Sequence, residues 1–448
     1  MKKTDDDIPQ SMQHHVDWFR SSAPYIHAHR GNTFVILFGG EAVEDDGFAN
    51  LIHDIALLSS LGVKLVLVHG ARPQIDAELD AEGITTDIAG GLRVTTPEAM
   101  PCVEKAVGRV RMRIESQLSM GLPNTPMSGS AIKVVSGNFI TAQPWGVREG
   151  IDYHQTGNVR RVDADAISNQ LASNNIVMLS PVGYSTTGET FNLRAEDVAT
   201  EVAIAIGADK LVFAMENSGV LNSELEPLPQ LSLQEAEHWY SEHGEGLADA
   251  DDIRLHLNNA ARACRKGVKR AHLISRKTDG ALLLELYTRD GIGTLVSADN
   301  YEGLRHATIE DIGGIMELII PLEESGVLVK RSREQLELDI GNFTVIERDG
   351  MIIACAALFA FDTGQSGELA CLAVHADYQQ HGRGDDLLQH IEWQARKQHI
   401  EHLFILTTQT MHWFVEHGFT ETSLSRLPVD KQELYNYQRR SKILHKEL

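Results

Sequence analysis

Gln379-Gln380-His381-Gly382-Arg383-Gly384 is the stretch from which the fold is read. The run before it, Glu368-Leu369-Ala370-Cys371-Leu372-Ala373-Val374-His375, has the composition of a strand. The run after it, Asp385 to about Arg396, repeats apolar residues at Leu387, Leu388, Ile391 and Ala395, the spacing of one helix face. Strand, glycine turn and helix together present bare backbone N–H groups at the positive end of a helix dipole. Gly382 and Gly384 let a ligand approach the backbone closely. Such a turn suits an anion, and a pyrophosphate in particular. An ordinary strand-to-helix turn carries the same glycines, so the flanking chain has to decide.

The 448 residues exceed one typical core and predict about two to three domains. The net charge of −23, from 40 basic and 63 acidic side chains, excludes nucleic acid and anionic membrane as main partners. Met1-Lys2-Lys3-Thr4-Asp5-Asp6-Asp7 lacks the apolar centre of a signal peptide, and no run approaches the ~20 apolar residues of a membrane span. Cys102, Cys264, Cys355 and Cys371 lie far apart with no Cys-x-x-Cys spacing. Neither a metal site nor a disulfide framework is expected, and a reducing cytoplasm is.

Residues 11–29 read as a helix with Val16, Phe19, Tyr25 and Ile26 available for burial, on another subunit or on its own domain. Thr33 to Phe38 is a strand ending in Gly39-Gly40, followed by a helical face of Phe48, Leu51, Ile52, Ile55 and Leu58. Val63 to Val68 is apolar on both faces and ends in His69-Gly70-Ala71-Arg72-Pro73, which predicts a covered parallel strand. The order predicts an open α/β sheet with glycine turns at strand C-terminal ends, where such sheets bind ligands. Pro144 to Asp163 reads as hairpin and loop, and strands are expected at 175–180, 210–214 and 271–274. Residues 297–303 carry no element signal and mark a boundary. Beyond it come a helix (309–322), a second helix capped by Ser332 with Gln335, a hairpin around Asp349-Gly350, and the opening strand, turn and helix. A strand to Thr407, a short helix at 411–415 and Gly418-Phe419 follow.

The region of about 300–448 resembles the GNAT-type acetyltransferases. Their pattern of Gln or Arg, two residues, Gly, one residue, and Gly or Ala after a strand is met by Gln379, Gly382 and Gly384, and the later elements keep the family's order. Residues 27–296 resemble the amino-acid kinase fold, acetylglutamate kinase most closely, at Phe38-Gly39-Gly40, Val68-His69-Gly70, around Asn192, and at Gly291-Ile292-Gly293-Thr294. Fused in this order, the two resemble the bacterial N-acetylglutamate synthase family. Gly367-Glu368-Leu369-Ala370-Cys371 and Tyr435-Asn436-Tyr437-Gln438-Arg439-Arg440 carry the closer likeness.

That resemblance implies an α/β chain in four segments: an N-terminal assembly helix (1–26), a kinase-like regulatory domain (27–296), a linker (297–303) and a GNAT domain (304–448). It implies acetyl-CoA as cosubstrate, L-glutamate as acceptor, L-arginine as effector, and a homo-oligomer, a hexamer on the kinase-like domains. The kinase-like half departs from a working kinase. Leu37 stands where a lysine precedes the first glycine turn, the second turn reads Gly70-Ala71-Arg72, and no lysine stands near Leu257. Phosphoryl transfer rests on positioned positive charge, so this half is expected to sense rather than phosphorylate. Glu285 is the expected partner of an arginine guanidinium, with backbone carbonyls at Gly291 and Gly293, Lys210 for its carboxylate and Tyr25 closing the site. Ordinary surface charges are the alternative for Glu285 and Lys210.

In the transferase half, backbone groups of Leu372, Ala373 and Val374 are expected to take the pantetheine arm as an added strand would, one N–H polarising the carbonyl. N–H groups from His381 to Asp385 would hold the pyrophosphate, with Gln379 and the Arg383 charge assisting. The Asp385 and Asp386 side chains are expected to turn away. Glu368 is the candidate base and Thr407 the hydroxyl beside the departing thiolate. Phe414 occupies the position where many GNAT enzymes carry a tyrosine acid; it cannot donate a proton and is expected among the acetyl-CoA-binding residues. Arg331, Arg440 and Ser441 are assigned to the acceptor's carboxylates, and Cys371 to the pocket wall or the core. Two rivals stand beside this reading: an acetylglutamate kinase with an acyl-CoA-binding module, and a non-catalytic arginine-sensing scaffold.

Overall fold

The computed structural model describes residues 10–121, 125–222, 227–242, 250–288, 290–298, 302–348, 351–361, 365–379, 382–433 and 441–448. The chain divides into two compact units, Met1–Asp299 and Asn300–Leu448.

The first unit is built on an eight-stranded sheet. Thr33–Phe38 lies at its middle, parallel to Lys64–His69 on one side and Lys210–Met215 on the other. Arg270–Ser275 continues the parallel set, and Thr294–Ser297 pairs with it antiparallel. The central strands are buried on both faces, as their unbroken apolar runs require. Two apolar clusters cover the faces, one on Phe34, Ile36 and Phe38, the other on Val35, Leu37 and Phe213. The open, mainly parallel α/β sheet expected from the sequence is present. Its two glycine turns follow Phe38 and His69 at strand C-terminal ends.

The N-terminal segment differs from the single helix expected. Gln10–Ser21 and Ala23–His29 are separate helices. Pro24 sits in the first turn of the second and lacks the N–H an unbroken helix would need there. The second helix packs on its own unit, where Ser22 Oγ donates to the Tyr287 carbonyl (3.2 Å) and His29 Nε2 bonds the Leu286 carbonyl (2.7 Å). The first helix leaves Val16, Trp18 and Phe19 exposed.

The second unit has a seven-stranded sheet. Its first strand, Glu302–His306, begins inside the stretch that carried no element signal in sequence. Phe343–Arg348 and Met351–Phe361 form the expected antiparallel pair, with Asp349 and Gly350 outside the described residues. Ser366–Val374, His402–Thr407 and Lys442–Glu447 follow across the sheet. Helix Arg383–Lys397 buries Leu387, Leu388, Ile391 and Ala395, the face read from the sequence. Ser332 caps the helix Arg333–Asp339 by accepting from the Gln335 N–H, while the Gln335 side chain bonds Asp339 and closes no reciprocal box. The reciprocal box belongs to Thr308 and Asp311, which the sequence reading passed over.

Candidate functional site

Two strands of the second unit part at Glu368. Ser366–Val374 runs parallel to His402–Thr407 only through Ser366–His402, Gly367–Leu403 and Glu368–Phe404. From there one strand follows Met351–Phe361 and the other follows Lys442–Glu447 as far as the Thr407–Lys442 pair. A V-shaped gap therefore opens in the sheet at Glu368, with Leu372, Ala373 and Val374 on one arm and Thr407 on the other. Cys371 has φ of 51°, and the ladder to Met351–Phe361 slips register between Cys355 and Ala357. Such a bulge bends the strand and re-aims the backbone after it.

Glu368 is buried and its Oε2 accepts a hydrogen bond from Lys431 Nζ at 2.6 Å. Thr407 Oγ1 accepts from the Thr410 N–H at 3.1 Å and shares a hydroxyl–hydroxyl bond of 2.9 Å with Thr410. A hydroxyl oxygen that already accepts an N–H is polarised as a donor. Ser441 is buried one residue before Lys442, the ladder partner of Thr407. Arg331 is half-buried, its backbone N–H on Glu323 and its Nη1 3.5 Å from the Val329 carbonyl. Burial pushes the Cys371 thiol up to about 11, against the pull of the nearby Arg331 charge. Cys371 is thus an uncharged group in an apolar cluster, with little nucleophile in it.

At the turn, Gly382 has φ of 76° and open space where a side chain would stand. The first intrahelical bond here runs from the Asp386 N–H to the Gly382 carbonyl (3.0 Å). The N–H groups of Arg383, Gly384 and Asp385 precede that ladder. Gly384 has a packing reason to be glycine beside the ligand approach expected. A Cβ there would lie 3.3 Å from the Trp413 ring. The Asp385 carboxylate lies 2.8 Å from His417 Nε2. Arg383 donates to the Tyr378 carbonyl (3.0 Å) and lies over the Tyr378 ring. Gln379 donates to the Val374 carbonyl (3.3 Å), tying the turn to the strand arm. Phe414 is a core residue, packed edge-on to Trp413 and Phe419, and exposes little surface for a ligand. His381 and Arg440 lie outside the described residues.

In the first unit Lys210, Glu285, Gly291 and Gly293 converge with a residue the sequence reading missed, His272. Lys210 Nζ is 3.1 Å from His272 Nε2, and His272 Nδ1 is 2.7 Å from Glu285 Oε1. Glu285 Oε2 accepts from the N–H groups of Ile292 and Gly293, both at 2.8 Å. Neither charge is a surface charge; both side chains are buried. The glycine turn meets Glu285 through N–H donors, whereas carbonyl acceptors for a guanidinium were expected. A Cβ on Gly291 would collide with the carboxylate at 2.5 Å. Burial, then the Lys210 charge, lowers His272 to about 4, so the neutral ring donates to Glu285 and accepts from Lys210. Burial opposes the Glu285 charge, but the His272 and backbone hydrogen bonds hold it down at about 2. Tyr25 packs beside His29 at a ring distance of 6.4 Å, and the Lys210 charge reaches His29 as well. The signal for His272 was a polar residue inside the apolar strand Ala271-His272-Leu273-Ile274. Lys431 and Thr410 stand in no pattern that marks them.

A cavity of about 830 Å³ lies at the strand C-terminal ends of this unit, lined by Gly39, Gly40, Gly70, Arg72, Arg93 and Asn192 among others. Leu37 and Leu257 are buried in the apolar core, so neither brings a cation to it. Among the described residues no group of His, Cys, Asp or Glu is arranged to hold a metal, and no helix is long and apolar enough to cross a membrane.

Residues 32–275 match the amino acid kinase family and residues 339–421 the acetyltransferase (GNAT) domain family. An amino-acid acetyltransferase of Pseudomonas fluorescens (strain Pf-5) is 52% identical over 437 residues, covering 98% of this chain and 100% of the relative. One from Azotobacter vinelandii is likewise 52% identical over the same shares. The crystal structure of N-acetylglutamate synthase from Neisseria gonorrhoeae complexed with coenzyme A and L-arginine is 38% identical, with a TM-score of 0.87 over 97% of this chain and 99% of that one. The same synthase complexed with coenzyme A and N-acetyl-glutamate is 39% identical, with a TM-score of 0.62 over the same shares. With an amino-acid-kinase fold ahead of a GNAT domain, and near-complete coverage at half identity, the chain belongs to the amino-acid acetyltransferase family.

Proposed function

We propose that this enzyme transfers acetyl from acetyl-CoA to the amine of L-glutamate, giving N-acetylglutamate and CoA, the entry step to arginine synthesis. The observation that carries the reading is the gap that opens at Glu368 beside the Gly382 turn. The pyrophosphate binds the N–H groups of Arg383, Gly384 and Asp385, joined by His381, and the pantetheine arm adds to Leu372, Ala373 and Val374 as a short strand. This lays the thioester along the gap and brings its carbonyl to one of those N–H groups. Glu368 takes a proton from the glutamate ammonium, directly or through a water. The freed amine attacks the thioester carbon, and the negative charge develops on the carbonyl oxygen against the backbone N–H. The C–S bond breaks as the tetrahedral species collapses, and Thr407 donates to the departing sulfur. The transfer is direct, since Cys371 is neither charged nor a good nucleophile. Arg331, Arg440 and Ser441 hold the carboxylates of glutamate.

Residues 27–296 act as the regulatory domain and 304–448 as the transferase. Arginine binds among Tyr25, Lys210, Glu285, Gly291 and Gly293 and lowers the activity. The exposed Val16, Trp18 and Phe19 of the first helix favour a homo-oligomer, a hexamer on the kinase-like domains. Cys102, Cys264, Cys355 and Cys371 are buried free thiols, in keeping with a cytoplasmic enzyme. The test is thiol release from acetyl-CoA across candidate amino acids, with and without arginine, and with ATP added separately. Glutamate-dependent release that arginine depresses is the expected result. Release with other amino acids but none with glutamate would overturn the acceptor. ATP hydrolysis dependent on N-acetylglutamate would restore the kinase reading.

A further inference from the structure

The reaction site contains a cation that the assignments above leave unused. Lys431, on the short helix Val429–Glu433, is only one-quarter exposed and reaches 2.6 Å from Glu368 Oε2. Glu368 itself is almost wholly buried at the apex of the gap. The position of this ammonium follows from the chemistry of the acceptor. A base takes a proton from an amine only within hydrogen-bond reach, roughly 2.6–3.2 Å between heavy atoms. An amine bonded to Oε2 therefore lies within about 6 Å of Lys431 Nζ. In an α-amino acid the carboxylate carbon is held about 2.5 Å from the amine nitrogen by two covalent bonds and a fixed angle. Any α-amino acid that offers its amine to Glu368 must place its α-carboxylate in the same few ångströms. Among the described residues, Lys431 is a cation already bonded to Glu368 there.

We propose that Lys431 is a specificity-determining residue that binds the α-carboxylate of the acceptor, so that Lys431, Glu368 and the two charged groups of the amino acid alternate in sign around a closed ring. The inference rests on the glutamate-acetylating reading and on Glu368 as its base. It adds Lys431 to the groups around the carboxylate beside the amine, where Arg331, Arg440 and Ser441 were assigned to the two carboxylates without division. In the absence of an α-carboxylate the substrate ammonium and Lys431 compete for one buried anion. With it, each charge has two neighbours of opposite sign. The enzyme would in this way distinguish α-amino acids from other amines before any side chain is read.

Calorimetry on the full-length protein with CoA present, titrating N-acetylglutamate, tests this without requiring turnover. The affinity should weaken about ten- to a hundredfold in Lys431→Met, the range for losing one hydrogen bond to a charged group. Lys431→Arg should stay within about threefold of the wild type, because it keeps the charge. In both variants the affinity for acetyl-CoA should be unchanged. Unchanged N-acetylglutamate affinity in Lys431→Met, or an equal loss of acetyl-CoA affinity, would overturn the assignment and leave Lys431 a structural partner of Glu368. Wild-type protein that binds CoA but not N-acetylglutamate, and releases no thiol with glutamate, would instead overturn the underlying reading and this inference with it.

Discussion

Alanine at Gly382 and at Gly384 should have unequal consequences, although both residues belong to one turn. Gly382 has φ of 76° and nothing near its missing side chain. Alanine there meets no clash but must hold a left-handed backbone, which costs about 1–2 kcal/mol. Its methyl group also stands in the open space where the pyrophosphate is proposed to sit. Losing one hydrogen bond to a charged group weakens binding by about 1.5–3 kcal/mol, or ten- to a hundredfold in Kd. Gly384 is helical, so alanine gains up to about 1 kcal/mol of helix propensity. Against that, its methyl would lie 3.3 Å from the Trp413 ring, which must yield by a few tenths of an ångström. The two effects nearly cancel, and acetyl-CoA affinity should fall less than in Gly382→Ala. Urea unfolding of the full chain together with calorimetric titration of acetyl-CoA measures both quantities. Normal acetyl-CoA affinity in Gly382→Ala, or a larger loss in Gly384→Ala, would refute the cradle.

Glu368→Gln should lower kcat by about 10²–10⁴-fold with acetyl-CoA binding retained, and wild-type turnover at every pH would remove it as the base. Thr407→Val should lower kcat several-fold, because a thiol with a pKa near 8.5 leaves without full protonation; a complete loss would make the hydroxyl an obligatory acid. Glu285→Gln should raise the arginine concentration for half-inhibition about tenfold or more, and an unaltered response in steady-state assays would place the effector elsewhere. Stability should fall as pH drops from about 6.5 to about 4. Burial lowers His29, His69 and His272 each to about 4, so the unfolded chain binds protons in this window that the folded chain refuses. Asp54, pushed up to about 7 by burial beside Asp279, works the other way and offsets one of the three. The net of two protons corresponds to about 3 kcal/mol per pH unit at mid-window, to be read from urea midpoints at stepped pH.

Local patterns carried much of the fold into the sequence. Runs such as Val63 to Val68 are apolar on both faces because they are covered on both faces, and Leu387 with Ile391 repeats at helical spacing because one side of that helix is buried. The linker was less legible. Glu302–His306 alternates too briefly to register as a strand until Phe343–Arg348 stands beside it. The helix break at Ser22 was marked by Pro24, which a reading by apolar periodicity alone passes over. For the candidate site, Glu368, Thr407 and the glycines were singled out through motif, order and resemblance. The groups that hold them were not. Lys431 is separated from Glu368 by 63 positions and Thr410 belongs to a loop, so pairing by fold rather than by spacing brings them in. His272 bridges two expected residues whose own link is invisible without it.

The parting of strands at Glu368 gives the second sheet four margins instead of two. The outer pair can be screened by charge or twist, but the inner pair must keep its backbone groups available or lose the cosubstrate. A seam of this kind is an incomplete sheet, which the proposed pantetheine strand would finish. Those amide protons of Leu372–Val374 that face the gap rather than the ladder to Met351–Phe361 should therefore exchange fast in the free enzyme and slow with CoA bound, and the cosubstrate would then act as a structural member of the sheet as well as a source of acetyl groups.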